Sequence, residues 1–237
     1  MSGEDARTAI NEEPTSRRLV RQPASDSVYQ YLKDQILVGA LKPGEKLMAQ
    51  QVADQLGTSP TPVREVLHRL ASEGLVERSP FKGTIVARLS RRDLQDLYEV
   101  RIPLEELAVT LLATSAAHQG IPNLEELLAR MDAAVSSGDA SDRIRWAKEF
   151  HMTLYKELEN PHLRYTLMFL RDKSSRYINI LRAAFSEPVD SAKIHRDILD
   201  AIRRGDARAA RTAVRKDLAS TVVAMDDCAR KGVIPVE

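Results

Sequence analysis

Two short helical repeats meet at residues 57–62, and the residues at that junction leave the chain few options. Val52, Ala53 and Leu56 recur at helical spacing and stop at Gly57, and Val63, Val66, Leu67 and Leu70 recur likewise and stop at Gly74. Between the repeats stands Thr58-Ser59-Pro60-Thr61-Pro62. Thr61 reads as an N-cap and Pro62 as the first helical residue, where its missing N–H is no loss. A preceding helix is predicted from Val28, Tyr31, Leu32 and Ile36, which share one face up to a stop at Gly39, followed by a turn at Leu41-Lys42-Pro43-Gly44. After the second repeat, residues 75–78 and 84–87 form two short β-rich runs around Ser79-Pro80-Phe81-Lys82-Gly83, which reads as a hairpin. Three helices and a hairpin in that order are a winged helix-turn-helix, whose last helix enters the major groove of DNA with its first turn against the bases.

Arg64 is the informative residue of that helix. It sits in the first turn, where the positive end of the helix dipole disfavours a cation by roughly a few tenths of a kcal/mol. A guanidinium held there suits a phosphate or the edge of a guanine, which it bonds in bidentate fashion. The alternative is an ion pair with a neighbour such as Glu65. Ser59 and Thr61 offer hydroxyls at the same helix start, and Lys82 with Gly83 sits at the wing tip, where a backbone can approach DNA closely. Charge distribution leans the same way: residues 15–90 carry 11 Lys and Arg against 7 Asp and Glu, whereas residues 91–237 carry 23 of each.

From Ser90 onward the sequence is helical throughout. Ser90 and Asp93 resemble a capping box that opens a helix, and Pro103 is expected to kink or restart it. Further helices are predicted at about 123–136, 142–159, 161–184, 189–204 and 207–230, separated by Gly, Pro, Asn or Asp. The organisation expected is a mobile polar arm over 1–23, a winged helix-turn-helix over 24–89, an all-helical domain over 90–232 and a tail over 233–237. No apolar run reaches the 18–20 residues or so needed to span a bilayer, residues 1–20 lack the apolar core of a secretory signal, and Cys228 has no second cysteine to pair with. A cytoplasmic protein with no membrane contact is the expectation.

Three polar residues of the helical half stand on apolar stripes. His151 lies among Ala147, Phe150, Leu154, Tyr155 and Leu158; His195 among Ile194, Ile198, Leu199 and Ile202; Asp217 among Ala213, Val214, Leu218 and Thr221. An unpaired polar group facing inward costs on the order of 1–3 kcal/mol. Either each is satisfied separately, or the three helices pack so that two imidazoles and a carboxylate converge on a divalent metal of the zinc, nickel or manganese kind, with positions open for water or a ligand.

The N-terminal residues that carry a resemblance are Leu41-Lys42-Pro43-Gly44, Val52-Ala53-Asp54-Gln55-Leu56-Gly57, Thr61-Pro62-Val63-Arg64-Glu65-Val66-Leu67 and Leu70-Ala71-Ser72-Glu73-Gly74-Leu75-Val76. They closely resemble the DNA-binding domain of the GntR family of bacterial regulators over about residues 25–86. The resemblance implies that Gln50, Ser59, Thr61, Arg64, Lys82 and Gly83 face DNA. Many relatives carry Arg where this chain has Pro60, so operator preference does not transfer from them. The helical half resembles the family's FCD (FadR C-terminal domain) branch through Leu97-Tyr98-Glu99-Val100-Arg101 with Glu105, Phe150-His151, Asn160-Pro161, Ile194-His195-Arg196-Asp197-Ile198 and Ala201-Ile202-Arg203-Arg204-Gly205-Asp206. That branch implies a divalent metal at His151 and His195, but Ala147 stands where relatives have Asp, and Asp217 where they have a final His. It also implies an effector site that includes Arg101, His151 and His195, with Arg101 suited to a carboxylate ligand; an ion pair between Arg101 and Glu105 one turn on is the alternative.

The function expected is that of a homodimeric regulator, and a repressor, released from a palindromic double-stranded operator by a small carboxylate effector. Two other classes compete with it. One is a metal-dependent enzyme using His151, His195 and Asp217, although the sequence has no HExxH, phosphate-cradling Gly loop or placed nucleophile. The other is a DNA-binding protein whose helical half only dimerises.

Overall fold

The structure, a computed structural model, describes residues 23–79, 83–115, 121–184 and 191–230. The N-terminal unit runs α1 (Pro23–Leu37), β1 (Lys46–Leu47), α2 (Ala49–Leu56), α3 (Pro60–Ser72), β2 (Val76–Ser79) and β3 (Gly83–Val86). Its three strands form a sheet in the order β1-β3-β2, both pairings antiparallel, with Val76 opposite Val86 and Leu47 opposite Thr84. β1 escaped the sequence reading because two residues carry no alternation to detect. Gly57 closes α2 in the left-handed region at φ 64°, returning N–H bonds to Ala53 and Asp54 carbonyls, so α3 starts within three residues. The start of α3 corrects the expected one. Ser59 is the N-cap and Pro60 the first helical residue, because both prolines fit a first turn that has no N–H bonds to lose.

Val63 and Leu70 on α3 are completely buried and pack with Val28, Leu32 and Ile36 of α1 and with Val76 and Val86 of the sheet. Full burial of such side chains contributes roughly 1.5–3 kcal/mol each, which holds α3 by its inner face and leaves its outer face free.

Six helices follow among the described residues: α4 (Arg91–Thr114), α5 (Ile121–Ser136), α6 (Ala140–Lys156), α7 (Pro161–Ala184), α8 (Ser191–Arg203) and α9 (Ala207–Arg230). Ser90 caps α4 as expected, accepting a bond from the Asp93 N–H. Pro103 does not divide α4, which corrects the expected restart; it is exposed, so the carbonyl it leaves unbonded one turn earlier has access to water. The start of α6 also moves, from 142 to Ala140, since Asp139 is the cap and accepts from the N–H groups of Ser141 and Asp142. α4 packs on α9, α7 and α8, and α5 and α6 pack on each other and on α8. A second buried cluster, from Leu89 to Leu218, fills this bundle separately from the first. Of the expected arm, residues 1–22 lie outside the described residues and Pro23 opens α1; the expected tail and Cys228's side chain also lie outside them.

The units meet along α7. Asp172 pairs with Lys33 of α1 at 2.8 Å and with Lys148 of α6 at 3.7 Å. Arg176 donates to the carbonyls of Gly74 (3.3 Å) and Ala87, and Asn179 donates to that of Leu37. Tyr177 donates to Asp93, just inside α4.

Candidate functional site

The outer face of α3 carries Thr61 and Arg64, both exposed, beside an exposed Ser59 whose side chain makes no cap hydrogen bond. Among the described residues Arg64 has no ion pair, with Glu65 or any other carboxylate. Because α3 begins at Pro60, Arg64 is its fifth residue, just past the first turn in which it was expected. An arginine that is exposed and unpaired, on the outer face of a helix fixed by its opposite face, has its guanidinium free for a polyanion. Gln50 is exposed on α2 and donates to Asp54 one turn on at 2.9 Å. Gly83, exposed and at φ 76°, opens β3 in a conformation that an L side chain rarely adopts. Lys82 lies outside the described residues. The sequence reading missed Arg78 on β2, which lies against His68 of α3, 2.6 Å from its Nδ1, and extends the same exposed face.

The second site is inside the bundle. His151 of α6, His195 of α8 and Asp217 of α9 do converge: each offers one donor atom, and those atoms lie within 4.8 Å of one another. His151 Nε2 stands 3.1 Å from Asp217 Oδ2 and 3.1 Å from His195 Nε2. Donors around a tetrahedral ion with bonds near 2.0–2.1 Å are separated by about 3.4 Å, so the spacing suits a divalent cation. One Nε2 proton can satisfy only one of those two contacts, whereas a cation attracts all three donors. Behind His151, its Nδ1 faces Glu105 Oε2 at 3.7 Å, the arrangement by which an outer carboxylate orients a ligating imidazole. Ala147, at the position where the resemblance implies an Asp, is partly buried and packs against the apolar core, so His151, His195 and Asp217 are three donors with no fourth from that position.

Of the two readings of Arg101, the structure shows the ion pair. Its Nη2 and Nε donate to Glu105 Oε1 at 2.7 and 3.0 Å, and its Nη1 donates to Ser174 of α7 at 3.1 Å and to Tyr98 at 3.3 Å. Arg101 and Glu105 are both fully buried. Burial would raise the Glu105 carboxyl, but the Arg101 guanidinium and the His151 imidazole more than reverse this and hold it down at about 2. For Asp217 too, burial opposes ionisation and the His195 and His151 imidazoles outweigh it, keeping the carboxyl well below the usual carboxylate range. Burial, then the Glu105 carboxylate to which Tyr155 donates, pushes the Tyr155 phenol well up. The sequence reading missed Tyr155, Ser174 and Arg171 as members of this centre. The detectable signal was on α7, where Arg171 and Ser174 continue the inward stripe of Leu163, Leu167 and Leu170.

Comparison with known proteins agrees with this two-part layout. Residues 24–86 match the family described as bacterial regulatory proteins, gntR family, and residues 96–220 match the FCD domain. A probable D-xylose utilization operon transcriptional repressor of Paenarthrobacter nicotinovorans is 32% identical over 211 residues, covering 87% of this chain and 90% of its own. An uncharacterized HTH-type transcriptional regulator, YdhC, of Bacillus subtilis is 30% identical over 78% of this chain and 84% of its own length. The solved structure of E. coli McbR/YncC superposes with a TM-score of 0.73 at 27% identity, covering 86% of this chain and 97% of that one. These relatives are transcriptional regulators, so the enzyme reading of the His151 cluster finds no support among them. With a DNA-reading head of one family pattern and a helical bundle of another joined in one chain, this protein belongs to the GntR family of DNA-binding transcriptional regulators, in its FCD branch.

Proposed function

We propose that this regulator is a homodimeric repressor whose residues 24–89 hold a palindromic operator and whose residues 90–232 release it when a small carboxylate effector enters the buried centre. The observation that carries the reading is the position of α7. One side of this helix contributes Ser174 to the Arg101–Glu105 network, and the other holds the DNA-reading unit through Asp172, Arg176 and Asn179. A ligand that shifts α7 therefore shifts the pose of α3, and it weakens operator binding by its differential affinity for the two poses. Gln50, Ser59, Thr61, Arg64, Lys82 and Gly83 are the proposed DNA-facing residues. His151, His195 and Asp217 are the proposed holders of one divalent ion, which when bound supplies positive charge and an open coordination position for an anion.

Two further observations support the dimer and the repressor. Val100, Pro103, Leu107 and Leu111 form an exposed apolar stripe along α4, which suits burial against a second copy. Two-fold symmetry then sets two α3 helices one DNA turn apart, about 34–36 Å between centres. Among the relatives, those from Paenarthrobacter nicotinovorans and Bacillus licheniformis are named as operon repressors. The test is a gel shift with short palindromic duplexes from the DNA flanking the protein's own coding region, with and without small carboxylates, together with elemental analysis of the purified protein. Binding to a palindrome that a carboxylate reverses is expected; binding that no ligand or metal alters would favour a purely structural helical half.

A further inference from the structure

We infer that Arg171, and not Arg101, receives the carboxylate of the effector. The inference rests on the buried centre being the effector site and deepens that reading by naming the residue and the ligand group it takes. Three arginines are buried among the described residues. Arg101 is neutralised by Glu105, and Arg176 donates to two backbone carbonyls. Arg171, on the inward stripe of α7 between Leu167 and Ser174, is 6% exposed, and its Nε–H has no acceptor. Among the described residues its guanidinium forms no ion pair. Two other buried polar atoms lack a hydrogen-bond partner, Glu105 Oε2 and His151 Nδ1, but they face each other at 3.7 Å. The Arg171 donor faces no such counterpart.

Its location follows from α7. Arg171 stands one turn before Ser174 on the same inward face, and the Ser174 hydroxyl accepts from Arg101 at 3.1 Å, so the guanidinium lies on the side of α7 that faces the Arg101–Glu105 network. A buried guanidinium that forms no ion pair and leaves its Nε–H unbonded is unfavourable on its own, and a planar monoanion that accepts from its fork relieves that cost. Arg101 cannot take this part without breaking two hydrogen bonds to Glu105. A carboxylate fits the observations better than a phosphate: a single unpaired guanidinium matches one planar charge, and a tetrahedral dianion asks for more donors than this centre leaves free.

The experiment uses the full chain, with acetate, malonate and citrate as carboxylate probes and inorganic phosphate as the comparison. Titration calorimetry and thermal unfolding are run on the wild type, Arg171→Met and Arg171→Lys, and each protein is also tested on the operator. The expected result is that at least one carboxylate binds the wild type and raises its melting temperature, and that Arg171→Met binds it about ten- to hundredfold more weakly. Arg171→Lys, which keeps the charge but not the fork, should fall between. Without ligand, Arg171→Met should melt no lower than the wild type, because it removes a buried charge that forms no ion pair and leaves a donor unbonded; a purely structural arginine would give a lower melting temperature. In both variants, release of the operator should require more carboxylate than in the wild type. Wild-type affinity for the carboxylate in Arg171→Met overturns the inference, as does binding of phosphate alone or of none of the three carboxylates. Failure of the wild type to bind any palindromic duplex is a separate result, and it counts against the functional reading itself.

Discussion

Arg101 and Glu105, one turn apart on α4 and both fully buried, are joined by two hydrogen bonds of 2.7 and 3.0 Å. The pair is the hub of the bundle interior. Ser174 of α7 and Tyr155 of α6 bond to it from two sides, and His151 stands behind the second carboxylate oxygen. A solvated i,i+4 pair would matter little, but this one has been taken wholly out of water, where each charge depends on the other.

Removing either partner should therefore cost far more than removing both. Arg101→Met and Glu105→Met each leave an uncompensated buried charge and should lower stability by about 3–5 kcal/mol. The double variant, with two apolar side chains in place of the pair, should be more stable than either single one. Urea unfolding of the four proteins measures the coupling directly. Additive losses would show that the two charges do not depend on each other.

The same pair predicts the acid limb of stability. The Glu105 carboxyl is depressed in the folded protein, from an ordinary value of 4.5 to about 2, and Asp217 is shifted in the same direction. A depressed carboxyl contributes stability that is fully present above its unfolded value and is lost as pH falls through its folded value. Wild-type unfolding free energy should thus decline between about pH 4.5 and pH 2 more steeply than that of Arg101→Met/Glu105→Met, with parallel curves at neutral pH. A parallel decline in both proteins would remove Glu105 as the cause.

Much of this was legible in the sequence, for physical reasons that differ between elements. The α2–α3 junction is fixed locally by Gly57, Pro60 and Pro62, so its geometry could be read with an error of only two residues at the cap. The convergence of His151, His195 and Asp217 was legible because each interrupts an apolar stripe on its own helix. Arg171 was harder to place: it continues the inward stripe of α7, but a long charged side chain on a helix normally reaches water, so the stripe alone does not mark it as buried. The restart expected at Pro103 did not occur for a related reason. The rule against internal proline assumes that the lost bond is not made good, and on the exposed face of α4 water can do so.

Arg64 should separate specific from general DNA binding. Being exposed and unpaired, it can be replaced by Ala without loss of fold, and the far-UV spectrum should be unchanged. Its bond to a base edge should be worth about 1–3 kcal/mol in each half-site. Arg64→Ala should then lose preference for the operator over random duplex, while weak binding at low salt persists. Undiminished operator preference in Arg64→Ala, measured by competition gel shift, would contradict the placing of α3 in the major groove.

The α4 stripe makes the last prediction. Val100, Leu107 and Leu111 are 52%, 45% and 39% exposed, unusually so for large apolar side chains spaced to share one helix face. Val223 on α9, which packs beside α4, is 60% exposed. If a second copy covers the stripe, Leu107→Glu places a charge in a dry interface, where it has no partner. The isolated fold loses nothing, since Leu107 already faces water within one chain. Light scattering should report a monomer where the wild type is a dimer. Two half-sites that were held by one linked particle would then be bound independently, so the apparent operator affinity should fall by about 10²–10⁴-fold. A Leu107→Glu protein that remains dimeric and keeps its operator affinity would move the two-fold axis to another face of the bundle.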